Sequence, residues 1–166
     1  MNKTKRKIFE TSMKLFADKG YDATSIEEIT ASVGVAKGTL YYHFSSKEEI
    51  FNFLIEEGMK LLKNSISIKT AKMTNSLDRL RAIVLIQIKI LFKYENFITI
   101  ILSQIWGNDD RSKMCRNYVF EYIQMIEEIV KEGIDKGEIV NKDATLIASG
   151  IFGFICSSFI YKMRYE

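Results

Sequence analysis

Between Lys3 and Lys19, the residues Ile8, Ser12, Leu15 and Phe16 recur at the spacing of one helical face, which predicts an amphipathic first helix. Gly20 stops it, because glycine enters the left-handed conformation cheaply, and Lys19 suits the negative end of the helix dipole. The run Thr24-Ser25-Ile26-Glu27-Glu28 starts a second helix. Thr24 as N-cap would put Glu27 at the third helical position and Ser25 would put Glu28 there, so both capping boxes are open. Ile26, Ile29 and Val33 give this helix one narrow apolar face, and Gly34 ends it. A third helix runs from about Ala36 to Phe44, with Ala36, Leu40 and Phe44 on its packing side. Ser46 ahead of Lys47-Glu48-Glu49 opens a long connector through Ile50, Phe53, Leu54, Leu61 and Leu62 to about Lys63.

Polar residues around Lys69 to Ser76 then predict a loop. From Asp78 to Tyr94 the chain is apolar nearly all round, which predicts a buried helix. Further helices are expected over Glu95 to Trp106, Arg111 to about Ile134, and Asp143 to Met163, with glycines in the turns at Gly107 and Gly137. The fold expected is all-α: an N-terminal three-helix helix-turn-helix domain over residues 1–46, and a helical domain over residues 47–166 beginning with the connector. Composition agrees, since the 166 residues contain no proline and 47% are apolar.

The net charge of +3 is too small to indicate nucleic-acid binding by itself. Its distribution says more. Lys3, Lys5, Arg6 and Lys7 crowd the start of the first helix, where cations oppose the helix dipole, so an external partner is the better reason for them. On the third helix Lys37, Gly38, Thr39 and Tyr42 share the side away from Leu40, with Tyr41 and His43 flanking them. In a helix-turn-helix that side enters the major groove, so Lys37, Gly38, Thr39 and Tyr42 would meet base edges while Tyr41 and His43 reach phosphates. Lys47, Thr24 and Ser25, at two helix N-termini, are further phosphate candidates. About eight phosphates neutralised per dimer would give a slope of log K against log salt near −7.

Metal and enzyme chemistry find little support. Cys115, Cys156 and the single His43 have no zinc-site spacing, and there is no paired-carboxylate or glycine-rich phosphate motif. No metal, no cofactor and no enzymatic activity are expected. The basic N-terminus runs into Glu10 and Asp18 rather than a long apolar stretch, which with isolated cysteines suggests the cytoplasm. Ala144 to Tyr161 is uncharged for 18 residues but rich in Gly, Ser and Thr, and is read as a protein interface rather than a membrane span.

The residues Ile8, Leu15-Phe16, Lys19-Gly20-Tyr21, Ala23-Thr24-Ser25, Ile29, Gly34-Val35, Lys37-Gly38-Thr39-Leu40-Tyr41-Tyr42-His43-Phe44 and Lys47-Glu48-Glu49 resemble the N-terminal DNA-binding domain of the TetR family of bacterial transcriptional repressors. A looser similarity lies at Glu132-Gly133-Ile134 and Lys136-Gly137-Glu138-Ile139, which looks like that family's junction before its dimerisation helices. The resemblance implies a homodimer that binds a palindromic double-stranded DNA operator and lets go when a small molecule enters the C-terminal domain. It also implies one more helix after Met163, so either the sequence continues or the dimer uses a reduced interface. Thr11-Ser12 and Thr30 replace common alanines, and Glu27 stands where a basic or small residue would favour DNA.

For the effector, Gln87, Phe92, Phe97, Gln104, Trp106, Tyr118, Tyr122 and Phe152 are the candidate lining, which suits an apolar or aromatic molecule; Glu95 or Glu121 would allow a cation. For the dimer, Gly150, Gly153 and Ser157 form a furrow flanked by Ile147, Phe154 and Ile160. Packing of this furrow against the 111–134 helix is the alternative. A helical protein-protein interaction module without DNA binding is the competing function.

Overall fold

Capping side chains start most helices where the sequence places them. In the computed structural model, which describes residues 1–165, eight α-helices and no strand make up the described residues. Asn2 caps α1 (Lys3–Lys19), Ser25 caps α2 (Ile26–Val33) and Ser46 caps α4 (Lys47–Thr70), each accepting a hydrogen bond from an amide in the helix's first turn. Asn75 and Asp109 do the same for α5 (Ser76–Lys93) and α7 (Asp110–Asp135), and Asp143 for α8 (Ala144–Tyr165). Two short helices complete the set, α3 (Lys37–His43) and α6 (Glu95–Gln104). Gly34, at φ 75°, takes the left-handed conformation that turns the chain from α2 toward α3.

Helices α1 to α3 form a head whose interior is Ile8, Phe16, Ile29, Val33, Leu40 and Phe44. The first turns of α4 complete it: Ile50, Phe51 and Leu54 are fully buried, and the Phe51 ring meets those of Tyr21 and Phe16 at 5.2 and 5.9 Å. The same helix then runs into a body built from α5 to α8, where Met59, Leu62 and Ile66 pack with Ile83, Phe97, Ile100, Val119 and Ile126 in one continuous core. Helix α1 also touches α6, so head and body meet along two seams.

Three expectations change. Helix α4 continues to Thr70 rather than ending near Lys63, because Ile66 and Thr70 remain buried and the polar residues are its outer face. Helix α5 is not buried all round: Leu77, Leu85 and Phe92 are about half exposed. Ala36 is the exposed N-cap of α3, leaving Leu40 and Phe44 to hold that helix down.

Candidate nucleic-acid interface and effector cavity

The third helix is short, and its orientation is fixed from both sides of the turn. The Gly34 and Val35 amides both donate to the Thr30 carbonyl, at 2.9 and 3.1 Å, while Leu40 is sunk beneath α1 and α2. That leaves Lys37, Gly38, Tyr41 and Tyr42 exposed, Tyr42 at 84%, with Thr39 and His43 half-buried at the edges. The six residues form one continuous strip on α3, as the helical spacing predicts. A Cβ on Gly38 would meet nothing within 4 Å, so the backbone there lies open to close approach.

Lys37 is not idle in this strip. Its ammonium donates to the Glu27 carboxylate on α2 at 2.6 Å. Hydrogen bonding and charge attraction lower the Glu27 pKa and raise that of Lys37. Glu27 thus holds the cation at the N-terminus of α3.

The other cations divide. Lys3 is exposed, and Arg6 is exposed but pairs with Glu10 at 2.8 Å. Lys5 instead lays its ammonium over the rings of Phe44 and Phe53, 4.8 and 4.4 Å from their centroids. Lys7 donates at 2.7 Å to the carbonyl of Val33, at the negative end of α2. Lys47 donates to the carbonyls of Tyr21 and Thr24 at 2.9 and 2.8 Å and sits over the Tyr21 ring. The Thr24 side chain turns inward and donates to the Gly20 carbonyl at 2.8 Å, so Ser25, exposed and capping, is the hydroxyl left facing outward. Lys5, Lys47 and Thr24 therefore brace the head through their side chains, contrary to the expectation that they face phosphate. Local patterning cannot reveal this for Lys5 and Lys47, whose partners lie elsewhere in the chain, whereas Thr24 turns to a carbonyl only four residues away.

In the body, half of the expected effector lining converges. Gln87, Phe97, Tyr122 and Phe152 line an inner cavity of about 50 Å3 between α4, α5, α6, α7 and α8. The Gln87 amide and the Tyr122 hydroxyl are buried without a hydrogen-bond partner among the described residues, and burial drives the Tyr122 pKa up, keeping the phenol neutral. An outer cavity of about 230 Å3 lies beside it, walled by Phe9 and Met13 of α1, Glu57, Gly58 and Leu61 of α4, and Tyr94 and Phe97.

Phe92, Gln104, Trp106 and Tyr118 do not line the inner cavity. Phe92 lies in an open groove between α5 and α8, and Trp106 is 84% exposed just beyond α6. Tyr118 is half-buried under the Lys63 ammonium, and Gln104 is half-buried in the last turn of α6. The candidate anionic handles are occupied as well: Glu95 pairs with Lys162 at 2.6 Å and Glu121 with Lys63 at 2.5 Å. A cation in the inner cavity would find no carboxylate in its wall.

Helix α8 is long and apolar enough to cross a membrane by length and composition over Ala144–Lys162. It lies against α7, with Ala144, Ala148 and Phe159 buried. Its other side is bare: Gly150 and Ser157 are exposed, Phe154 and Ile160 are 53% and 67% exposed, and Ile147 and Gly153 are half-buried. A Cβ on Gly150 or Gly153 would meet nothing within 4 Å, so neither glycine packs within its own subunit, whereas Ile147 lies against the core.

The model of bacterial regulatory proteins of the tetR family matches residues 8–54, the head and the start of α4. A Clostridium perfringens chain described as a candidate fatty acid metabolism regulator is 36% identical, with a TM-score of 0.90 over 95% of this chain and 86% of that one. The chain belongs to the TetR family. A Staphylococcus aureus member, the negative transcriptional regulator IcaR of the biofilm operon icaADBC, is 38% identical over 76 residues, 46% of this chain. The chain spans 41% of the length of that curated relative. AibR, solved in complex with isovaleryl coenzyme A and operator DNA, is 25% identical with a TM-score of 0.81, covering 95% of this chain and 86% of that one.

Within this TetR fold, two features escape the sequence reading. Arg111, at the start of α7, stacks its guanidinium 4.0 Å from the centre of the Tyr21 ring and reaches Asp22 at 3.3 Å. With Lys47 also 4.2 Å from that ring's centre, Tyr21 joins head, connector and body through two cations. A sequence separation of 89 between Asp22 and Arg111 gives no local signal of it. Gly58 had one, as a glycine within a strong helix. A Cβ there would overlap the Phe97 ring, coming within 2.7 Å of Cδ2 and closer to Cε2 and Cζ.

Proposed function

We propose that this chain is a ligand-responsive transcriptional regulator, a repressor that binds a palindromic operator as a homodimer in the cytoplasm and is released by a small apolar effector. The observation that carries the reading is the strip of Lys37, Gly38, Thr39, Tyr41, Tyr42 and His43, held outward by the burial of Leu40 and Phe44. A helix-turn-helix used only for packing has no need of an 84% exposed tyrosine there. Residues 1–46 act as the DNA-reading head and residues 47–166 as the effector-binding and dimerisation body, with α4 shared between them. The furrowed side of α8, with Ile147, Gly150, Gly153, Phe154, Ser157 and Ile160, is the seam between two copies. The cavity holding Gln87, Phe97, Tyr122 and Phe152 takes the effector. The complex of AibR with isovaleryl coenzyme A and operator DNA supports a reading in which this fold carries both a DNA-binding and a ligand-binding site.

Selection of genomic fragments by the protein, followed by affinity measurements across salt concentrations, tests it. With Lys5, Lys7 and Lys47 engaged inside the head, Lys3 remains in each subunit, and so do Arg6 and Lys37 once phosphate replaces the exposed Glu10 and Glu27 as their partners. About six phosphates per dimer then predict a slope of log K against log salt near −5 rather than −7. A flat response would remove the electrostatic basis of the reading.

Glu27→Gln gives a second measurement. Freeing Lys37 from its carboxylate partner should raise affinity for DNA severalfold at low salt, with a smaller gain at high salt. Fluorescence anisotropy on a selected fragment measures this, and an affinity that falls instead would mean that Glu27 positions Lys37 rather than masks it.

A further inference from the structure

The inner and outer cavities are each smaller than a usual ligand site. Ligand sites commonly occupy about 300 to 1,000 Å3, and the inner and outer cavities have about 50 and 230 Å3. Leu62, Ile90 and Phe97 belong to the walls of both, so these side chains form the partition between them. Of these, Phe97 is the one whose ring fills the notch that Gly58 leaves in α4. The wall of the outer cavity includes the head itself, through Phe9 and Met13 of α1.

The chemistry of the inner end is specific. Gln87 and Tyr122 are 4% and 3% exposed, and Gln87 Nε2, Gln87 Oε1 and the Tyr122 hydroxyl have no hydrogen-bond partner among the described residues. Buried polar atoms are nearly always partnered, so two donors and an acceptor set in an apolar wall fit a polar group on a ligand. No Asp, Glu, Lys or Arg lines that cavity, and an ionic group entering it would lose hydration with no countercharge in return.

Resting on the regulator reading above, we propose that the two cavities are halves of one elongated site for an apolar chain that ends in an uncharged carbonyl group, as in a ketone, ester or thioester. The carbonyl oxygen accepts from Gln87 Nε2 and the Tyr122 hydroxyl. The chain displaces the Phe97 ring from the Gly58 notch and runs out between α4 and Phe9 and Met13. Release of DNA then begins at the seam of head and body, because the ligand takes the place of the ring that ties α6 to α4 and lies directly against α1.

Calorimetric titration of the DNA-free full chain with decan-2-one, pentan-2-one, decanoate and decylammonium tests this. Each buried methylene contributes a factor of about four, so decan-2-one should bind at least about thirtyfold more tightly than pentan-2-one. It should also bind at least about tenfold more tightly than either ionic compound. Gln87→Leu should weaken decan-2-one about tenfold. Phe97→Leu, by thinning the partition, should strengthen decan-2-one more than pentan-2-one. Equal affinity for the two ketones, decanoate binding as tightly as decan-2-one, or no binding of decan-2-one would each overturn the proposal. Those comparisons use the unaltered protein and so do not depend on the folding of a variant. A protein that binds genomic fragments but no ketone overturns the elongated site and leaves the regulator reading standing. One that binds decan-2-one but no DNA does the reverse.

Discussion

Gly153→Leu converts the dimer to a folded monomer and lowers affinity for a selected operator fragment at least about a hundredfold. The folded monomer is expected because a side chain at Gly153 meets nothing within 4 Å in its own subunit. Replacing a helical glycine also favours the helix by up to about 1 kcal/mol. The dimer is the casualty. In the proposed seam a second α8 sinks between the exposed Phe154, Ser157 and Ile160, and a leucine would fill that space twice across a two-fold axis. Two linked heads engage both half-sites at an effective concentration that a lone head lacks, and such linkage is worth roughly 10²- to 10⁴-fold. Sedimentation velocity reports the assembly and anisotropy the affinity. A variant that remains a dimer would show that the furrow is not the seam.

Leu40→Ala should destabilise the head by about 2 to 5 kcal/mol, because Leu40 is completely buried under α1 and α2 and its removal leaves a cavity in a small core. For a chain of this size that is a fall of roughly 5 to 20 °C in the unfolding of the head, with loss of DNA binding. Tyr42→Ala, two positions along the same helix, is the contrasting variant. Its side chain is 84% exposed, so the melting curve should stay in place while the preference for bases in each half-site relaxes by about 1 to 3 kcal/mol. Circular dichroism and fragment selection separate the two effects. If Tyr42→Ala leaves base preference untouched, α3 faces the groove with a different side.

The contrast between these neighbours is itself visible in the sequence. A helical period assigns Leu40 and Tyr42 to opposite sides with no further information, and the same period identifies the furrow of α8. Where the reading weakens, the cause is physical. A long cation within reach of a carbonyl or an aromatic ring is drawn to it, and Lys5, Lys7 and Lys47 all find such partners brought near by the fold. The aromatic residues of the body show the complementary difficulty. Phe92 and Phe97 are alike in the sequence, yet one is 57% exposed and the other 5%, because the packing of five helices, not the residue type, decides which rings turn inward.

The sequence by itself determined the number and order of the helices, the Ser46 cap, the helix-turn-helix and the exposed strip on α3, since all of these follow from interactions within a few residues of each other. The resemblance to the TetR family lies in the same local residues, over 8–54. Only the tertiary structure decided which cations brace the head, which four of the eight candidate residues share a cavity, that Tyr21 lies between Arg111 and Lys47, and that Gly58 makes room for Phe97. Those facts join residues far apart in the chain, and their geometry is set by how whole helices pack rather than by the spacing of side chains along any one of them.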